Sequence, residues 1–518
     1  MVALPLAIAF GIASGARPEQ GIVTAIVAGC IISAFGGSRV QIGGPAGAFV
    51  ALLFGIVEKF GVANLLIATM MAGTLLFAMG AFKLGNLVRF VPVSIIIGFT
   101  NGIAVIIALS QAKDLLGLNI SKPQANFFSQ LANIGSHLHT VNLYALAIGL
   151  FALVVIIIWP LPVGHAPPWR RLVAKMPATL VVLVICSLAV WWFDLPVETI
   201  GSRFGELPRG LPWPHMPAFD WNTAQNLLAP AMAIAVLGAI ESLLCARVAD
   251  SLIDDRHDPN QELMAQGLAN FVGPLFGGIA ATGTIARTVT NIKSGAVSPV
   301  SGLVHSALLF AVVLVAAPLA MRIPMAALAA ILLWVAYSMG AWSEFRRLMQ
   351  FSLFYRATLL STFFLTVVFD LVVAIEVGLV LSSLFFIYRI SSLTTVERIV
   401  IDGNVRADGK EVVAYRLFGS IFFGSVTKLE ELLDPRKTPP DVMILEMHQV
   451  INVDTTGLEA MENLHALLIK NQGRLLLAGV NEQPLSLMTR SGFIEKLGRE
   501  NLLPDLDAAL AIVRPASA

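Results

Sequence analysis

The fold is decided by the stretch Ala281–Gly295, which runs Ala-Thr-Gly-Thr-Ile-Ala-Arg-Thr-Val-Thr-Asn-Ile-Lys-Ser-Gly. It lies between long apolar segments, yet it carries four threonines, an asparagine and an arginine, and it is too short to cross a bilayer alone. Half-helical backbone at membrane depth is tolerated only where it is buried in protein or lines a wet cavity. A short helix beginning near Thr284 would point unpaired N–H groups into such a cavity, and Arg287 would add a fixed positive charge. We therefore expect an anion site; the alternative is a surface loop between helices.

The composition is that of a membrane protein. Of the 518 residues, 57% are hydrophobic and 13% are charged, whereas soluble domains carry about 25% charged residues. The net charge of +1 gives no electrostatic basis for binding nucleic acid. Three isolated cysteines, Cys30, Cys186 and Cys245, predict neither a disulfide framework nor a metal site. We also expect no cofactor.

Fourteen apolar segments follow one another along the chain. They lie at about 2–16, 20–35, 44–57, 62–82, 92–111, 141–161, 177–194, 225–247, 262–280, 284–294, 299–319, 324–339, 353–370 and 372–390. The third and the tenth are shorter than the ~20 residues that a crossing needs. The first is also short, so either the first helix is short or the sequence starts partway through it.

The distribution of charge predicts the orientation of these segments. Basic residues concentrate in the even-numbered connections: Arg39, Lys83, Arg89, Arg170, Arg171, Lys175, Arg247, Arg256, Lys293, Arg346, Arg347 and Arg356. The odd-numbered connections have fewer basic residues and add the acids Asp114, Asp194, Glu198, Glu206 and Asp220. Because cytoplasmic loops carry the excess of Lys and Arg, we predict a multi-pass protein of the inner or plasma membrane with both termini in the cytoplasm.

The composition changes after Arg389, and from Thr395 onward charged residues are frequent. Strands are predicted at Val412–Phe418, Asp441–Glu446 and Arg474–Ala478, and helices at about 425–434, 455–471 and 483–497. Alternating strands and helices indicate a small α/β domain. We therefore divide the chain into a transmembrane domain at 1–392 and a tail domain at 396–518.

The two short segments occupy corresponding places, each third in a set of seven, which suggests repeats at about 1–195 and 222–392. The earlier one follows Gly43-Gly44-Pro45-Ala46-Gly47, where Pro45 predicts the first position of a helix. Since seven is an odd number, two such halves run through the membrane in opposite senses. Interrupted segments at corresponding positions indicate a transporter's midplane site, with both helix N-termini facing one anion.

Glu241 lies inside the apolar eighth segment, Leu237-Gly238-Ala239-Ile240-Glu241-Ser242-Leu243. A carboxylate at the bilayer centre costs ~2.5–3.5 kcal/mol on insertion scales, so Glu241 is a functional candidate. It would carry a coupling proton, coordinate Na⁺, or pair structurally with Arg287.

Taken in order, these motifs resemble the SulP family, the sulfate permease group that includes animal anion exchangers and prestin. The resemblance rests on Ala3–Phe10, Gln41–Phe49, Leu237–Ala249, Ala281–Asn291 and Ile451–Leu458. It implies an α-helical polytopic membrane protein with fourteen segments in a 7+7 inverted repeat, divided into core and gate. It also implies a cytoplasmic STAS domain at the C-terminus and a homodimer.

The resemblance also implies a set of substrate contacts, since family members hold their anion between the third and tenth segments, beneath an aromatic residue of the first. The matching positions here are Phe10, Ala46, Gly47, Thr284, Ala286 and Arg287. Ala286 stands where exchangers such as prestin carry Ser, and Ala46 replaces a bulkier aromatic residue. Both changes enlarge the pocket, so a larger anion such as a C4-dicarboxylate is a candidate beside sulfate and bicarbonate, which need only a small electropositive cavity.

Glu241 matches the acid of the family's eighth segment. Bacterial Na⁺-driven bicarbonate members carry Asp there and Thr one turn later, where this chain has Glu241 and Cys245. Because Cys245 removes a hard oxygen ligand, we expect H⁺ symport, with Na⁺ symport as the less favoured coupling. A passive anion channel or exchanger, a nucleobase permease and a membrane-tethered signalling protein are the remaining alternatives.

The tail resembles STAS domains at Asp454-Thr455-Thr456-Gly457, where Asp454 would cap a helix that follows a strand. In stand-alone relatives this loop is a phosphorylation switch, but capping alone explains the residues as well. An enzyme is not predicted, because no nucleophile is placed beside a base and no phosphate-binding Gly-Lys-Ser/Thr loop is present.

Overall fold

The computed structural model describes residues 3–86, 92–120, 127–159, 176–206, 210–217, 221–369, 371–401, 411–433 and 439–513. These form two compact units, Met1–Leu379 and Val380–Ala518. The domain limits at 392 and 396 stay a prediction. Of the charges used for orientation, Arg89, Arg170, Arg171, Lys175 and Asp220 lie outside the described residues.

The first unit is helical. Its elements up to the middle of the chain are α1 (Ala3–Ala13), α2 (Pro18–Phe35), β1 (Gly43–Gly44), α3 (Val50–Phe60), α4 (Val62–Ala81), α5 (Val93–Leu116), α6 (Phe127–Ser136), α7 (Leu143–Ile158), α8 (Ala178–Phe193) and α9 (Ile200–Phe204). The later elements are α10 (Trp221–Ile253), α11 (Pro259–Val272), β2 (Thr282–Gly283), α12 (Ile285–Lys293), α13 (Val300–Ala320), α14 (Met325–Met339), α15 (Trp342–Arg346), α16 (Leu353–Val368) and α17 (Leu371–Leu393), which includes the limit between the units at Leu379.

Every apolar segment predicted from the sequence overlaps one of these helices, while α6, α9 and α15 lie in the connections. Among the described residues, four helices are long and apolar enough to cross a membrane by length and composition: Pro18–Phe35, Val62–Ala81, Val93–Leu116 and Thr223–Ile253. The number of crossings therefore stays a prediction.

Two local predictions differ from the structure. The eighth segment was expected at 225–247, but α10 continues for 33 residues and includes Pro230. Pro45 does not occupy the first helical position, because Ala46 is the N-cap and a 3₁₀ turn at Gly47–Phe49 leads into α3. Proline's fixed φ suits the extended connection equally well.

Glycines bring α4 and α11 into close contact. A Cβ added at Gly73 would lie 2.6 Å from the backbone nitrogen of Phe271, and one added at Gly267 would lie 2.4 Å from that of Phe77. Such small residues allow helix backbones to approach closely in membranes, where van der Waals packing replaces the hydrophobic effect as the driving force. The contact fixes α11 against α4 and thereby positions the polar face of α11 described below.

The second unit contains an α/β domain. Its elements are β3 (Thr395–Ile399), β4 (Val412–Ile421), α18 (Thr427–Glu430), β5 (Val442–Val453), α19 (Thr455–Lys470), β6 (Arg474–Ala478), α20 (Glu482–Arg490), α21 (Phe493–Leu497), β7 (Leu502–Leu503) and α22 (Leu506–Val513). The sheet order is β3-β4-β5-β6-β7, with β3 antiparallel to β4 and the other neighbours parallel.

Alternation along β5 gives this domain two apolar layers. Met443 and Leu445 belong to the cluster that includes the α19 side chains, whereas Ile444 belongs to the cluster that includes Ala509 of α22. Successive strand residues point to opposite faces, so the sheet is covered on both sides. The helix predicted at 483–497 is two helices, because Gly492 adopts a left-handed conformation with φ +76° between them.

Candidate functional site

Two short strands bring the third and tenth segments together. β1 pairs antiparallel with β2 through Gly43–Gly283 and Gly44–Thr282. Since this ladder is two residues long, the 3₁₀ turn at Gly47 and α12 at Ile285 begin within three residues of the same point. The helix predicted to begin near Thr284 is thereby confirmed.

Both helix starts keep their backbone donors free of side-chain caps. The N-cap residues are Ala46 and Thr284, and neither side chain accepts a hydrogen bond from the turn that follows it. The first N–H groups of a helix have no partner within the helix, so uncapped starts present donors and partial positive charge to an anion.

Arg287 joins the two halves of the site. Its side chain is buried, and Nη2 donates a hydrogen bond of 2.9 Å to the carbonyl oxygen of Pro45. Nη1 is buried and has no hydrogen-bond partner among the residues that the structure describes. A Cβ added at Gly44 would lie 2.5 Å from Nη1, so glycine leaves the room that the guanidinium occupies. A buried cationic donor without an acceptor is costly, and an anion bound here would remove that cost.

Threonines of the tenth segment hold the chain that leads into β1. The backbone nitrogen and Oγ1 of Thr284 both donate to the carbonyl oxygen of Ile42, at 2.9 and 2.7 Å. The backbone nitrogen of Ile42 in turn donates to Thr288 Oγ1 at 3.0 Å. The chain that leads into β1 is therefore fixed by hydrogen bonds from the tenth segment.

One face of α10 lies against this pair of strands. Three hydrogen bonds join this face to the site: Thr282 Oγ1 donates to the Gly238 carbonyl oxygen (3.0 Å), Gln41 Nε2 donates to Ser242 Oγ (3.0 Å), and Cys245 Sγ donates to Thr288 Oγ1 (3.3 Å). Residues three and four apart share a helix face, so Glu241 lies on the side of α10 that is turned to the site. Its half-buried carboxylate forms no hydrogen bond or ion pair within the described residues. The ion pair with Arg287 that the sequence allowed is therefore not formed.

Phe10 lies over the start of the third segment. It is buried, and a Cβ added at Gly47 would lie 3.3 Å from its Cε1 and 2.9 Å from Met339 Sδ. Ala46, the residue before Gly47, is also buried, whereas Ala286 on α12 is exposed. The structure thus brings Phe10 to Gly47 and Arg287 to Pro45; which of the six predicted residues touch an anion stays a prediction.

The sequence matches a known family over most of its length. The model of the sulfate permease family matches residues 1–362, and that of the STAS domain matches residues 404–509. The chain is 40% identical over 510 residues to the "Putative sulfate transporter YvdB" of Bacillus subtilis, covering 98% of this chain and 94% of the relative. The chain belongs to the sulfate permease family. It is also 30% identical to the "Bicarbonate transporter BicA" of Picosynechococcus, covering 98% of this chain and 92% of that protein.

Solved structures confirm the fold of this sulfate permease family member. The transmembrane domain of a cyanobacterial bicarbonate transporter, BicA, matches with a TM-score of 0.64 and 32% identity over 72% of this chain and 94% of that one. The murine Solute Carrier 26 family member A9 matches with a TM-score of 0.86 over 99% of this chain and 89% of that one, and at 17% identity it shows the fold alone. The predicted fold class is therefore confirmed: a helical multi-pass membrane anion transporter with a STAS domain at its C-terminal end.

Glu262 on α11 is a residue that the sequence interpretation missed. Its fully buried carboxylate accepts hydrogen bonds from the backbone nitrogens of Gly37 (3.0 Å) and Ser38 (3.4 Å). It also accepts from Ser242 Oγ (2.8 Å) and Gln266 Nε2 (2.9 Å). The acid therefore ties α10 and α11 to the loop that leads into β1, and it is a positioning residue for the site.

Asn270, one turn beyond Gln266, fixes the chain that leads into β2. Its Nδ2 donates to the carbonyl oxygen of Ala281, and its Oδ1 accepts from the Ala281 nitrogen, both at 2.8 Å. The signal for this network was present in the sequence as polar residues at every fourth position, Glu262, Gln266 and Asn270. That spacing places them on one face of a helix whose remaining residues are mostly small or apolar.

Proposed function

We propose that this protein is a secondary active transporter that carries a small anion, sulfate, bicarbonate or a C4-dicarboxylate, together with H⁺ by alternating access. The observation that carries the proposal is the buried Nη1 of Arg287, which has no hydrogen-bond partner in the described part of the chain and lies between two uncapped helix starts. The names of relatives, which include sulfate and bicarbonate transporters, support the substrate class.

Anion binding follows from the polarity of the site. The first N–H groups of the turn after Ala46 and of α12 after Thr284 supply donors, and each helix start adds partial positive charge. Arg287 contributes a full charge in a protein-lined environment, where charge interactions are stronger than in bulk water. The methyl side chains of Ala46 and Ala286 leave room for an anion larger than bicarbonate.

Coupling is assigned to Glu241. Its carboxylate has no partner within the described residues, so its charge is uncompensated on the face that meets the site. An anion bound nearby would repel it, and taking up a proton removes both this repulsion and the cost of a charged acid at membrane depth. Proton uptake would therefore accompany anion binding.

The neighbouring hydroxyl groups favour H⁺ over Na⁺. Thr288 Oγ1 already accepts hydrogen bonds from the Ile42 nitrogen and from Cys245 Sγ, and a thiol is a poor ligand for a hard cation. Thr282 Oγ1 instead donates its proton to the Gly238 carbonyl oxygen and keeps its lone pairs, so Na⁺ symport remains the alternative coupling. The preference for H⁺ rests on Thr288, whose two lone pairs are both used, and on the thiol of Cys245.

The arrangement in the membrane is part of the same proposal. The positive-inside bias supports an inner or plasma membrane location with the N-terminus and the STAS domain in the cytoplasm. We assign transport to residues 1–392, with repeats at about 1–195 and 222–392, and the STAS domain to residues 396–518. A homodimer is the assembly that we propose.

Uptake into proteoliposomes tests the function. We expect labelled anion to accumulate when an inward H⁺ gradient is imposed, and Glu241→Gln to abolish this accumulation while retaining exchange of internal for external anion. Glu241→Asp, which keeps a titratable carboxylate, is the matched control and should restore gradient-driven uptake. Accumulation by Glu241→Gln under the pH gradient would refute the coupling role.

The same vesicles separate the alternatives. Uptake that requires an inward Na⁺ gradient and ignores pH would establish Na⁺ symport. Flux that follows membrane voltage and ignores both gradients would establish a passive channel. If none of sulfate, bicarbonate and succinate is transported under any gradient, the proposed substrate class is wrong.

A further inference from the structure

An apolar groove of about 400 Å³ lies between α8 on one side and α1 and α13 on the other. None of the six residues proposed as anion contacts lines it. Among the residues that line it, only Ser187, Arg322 and the indole N–H of Trp191 supply polar side-chain groups. Such a lining would bind an inorganic anion poorly, because it offers almost no hydrogen-bond donors. The groove therefore fits a ligand with a hydrocarbon portion.

The length of the groove matches one leaflet of a bilayer. Along α13 its lining extends from Leu308 to Leu319, a rise of roughly 16 Å at 1.5 Å per residue. The hydrocarbon core of a bilayer is about 30 Å thick, so one leaflet is about 15 Å deep. A single acyl chain would fill the groove from end to end.

The polar end of the groove has the character of a membrane interface. Arg322 is exposed, and its guanidinium carbon lies 5.0 Å from the centroid of the Trp191 ring. Trp191 and Trp192 are themselves largely exposed, and tryptophans concentrate where the headgroups begin. The guanidinium forms no hydrogen bond or ion pair with any described residue. Its positive charge is thus available to a ligand.

Ser187 supplies a second polar contact at a useful depth. It lies one helical turn, about 6 Å, from Trp191 along α8, on the side away from the α8 C-terminus. Its Oγ is buried and has no hydrogen-bond partner within the described ranges of the chain. An unpaired hydroxyl donor one turn below the headgroup level suits the ester carbonyl of a glycerolipid.

We propose that this groove is a binding site for an anionic phospholipid. The phosphate and the anionic headgroup lie at Arg322, a glycerol ester carbonyl accepts a hydrogen bond from Ser187, and one acyl chain fills the groove between α8 and α13. The net negative charge of the lipid compensates Arg322, which no protein group does within the described residues.

Native mass spectrometry of the detergent-purified full chain tests this site. The protein is titrated with a 1:1 mixture of dioleoyl-phosphatidylglycerol and dioleoyl-phosphatidylcholine, and the dissociation constant of the first bound lipid is measured for each. We expect a preference of about fivefold for phosphatidylglycerol, since one basic residue near an anionic headgroup contributes that much. Arg322→Gln should bring this preference to about one, and Arg247→Gln, which removes another exposed arginine, should leave it unchanged.

The variant Val184→Trp tests whether the acyl chain binds in the groove or whether only the headgroup binds, at Arg322. Val184 lines the groove and is half exposed, so an indole can occupy the space without entering the core. We expect this variant to lose tight binding of both lipids while its melting temperature stays near that of the parent. An unchanged preference in Arg322→Gln, or unchanged lipid binding in Val184→Trp, would overturn the proposal. Loss of a dimer in Val184→Trp would also overturn it, because the groove would then be an interface between copies.

Discussion

Replacing Arg287 with glutamine tests the anion site most directly. The substitution removes the buried charge and the unpartnered Nη1, while a neutral side chain of similar length costs less to bury. A hydrogen bond to a charged group contributes about 1.5–3 kcal/mol. Loss of one such contact predicts anion binding weaker by roughly tenfold to 150-fold.

Ligand-dependent melting measures this effect. For the parent protein at an anion concentration of 100 times Kd, binding stabilises the fold by about 2.7 kcal/mol. If Arg287→Gln weakens binding a hundredfold, the same concentration stabilises it by only about 0.4 kcal/mol, so the shift in melting temperature nearly disappears. Sulfate, bicarbonate and succinate are each tested at two pH values, which also identifies the preferred anion.

Lys293→Gln is the matched control. It removes the same charge from the exposed last turn of α12, about 9 Å further along the helix. This variant should keep the ligand-dependent shift of the parent. If Arg287→Gln binds the preferred anion as tightly as the parent, or if Lys293→Gln weakens binding equally, the guanidinium is not the specific anion contact and the reasoning fails.

Three further substitutions examine the supports of the site and of the tail domain. Gly44→Ala places a Cβ against Arg287 Nη1 at a φ of +152°, so the variant should bind the anion more weakly in an equilibrium binding assay. If the effect acts through Arg287, the double variant Gly44→Ala with Arg287→Gln should bind no more weakly than Arg287→Gln alone. Glu262→Gln replaces one of the two carboxylate oxygens with an amide N–H₂ group, so whichever way the amide faces, one pair of the present donors loses its acceptor. Thermal unfolding should show a loss of about 1–3 kcal/mol, and an unchanged melting temperature would refute this role. Asp454→Ala removes the cap that accepts from the Gly457 nitrogen, so hydrogen exchange at the start of α19 should quicken roughly fivefold, and an unchanged exchange rate would contradict the capping role.

Several local features followed from the sequence because their physical causes are local. Runs of apolar residues located the membrane helices, and the interruption around Thr284 located the start of α12. The strand at Arg474–Ala478 and the cap at Asp454 were likewise confirmed, since alternation and capping each depend on a few consecutive residues. The position of Glu241 on a helix long and apolar enough to cross a membrane was also evident from its apolar neighbours.

Tertiary structure decided how these pieces meet. Gly43 pairs with Gly283, a partner 240 residues later, and no local period specifies such a contact. The same holds for Glu262, whose carboxylate accepts hydrogen bonds from the Gly37 nitrogen and Ser242 Oγ, which belong to two other segments. The period of apolar residues along the sequence indicates where a helix or strand forms, because the hydrogen bonds of that element set the period. A site made by segments distant in sequence depends instead on packing, which only the folded chain defines.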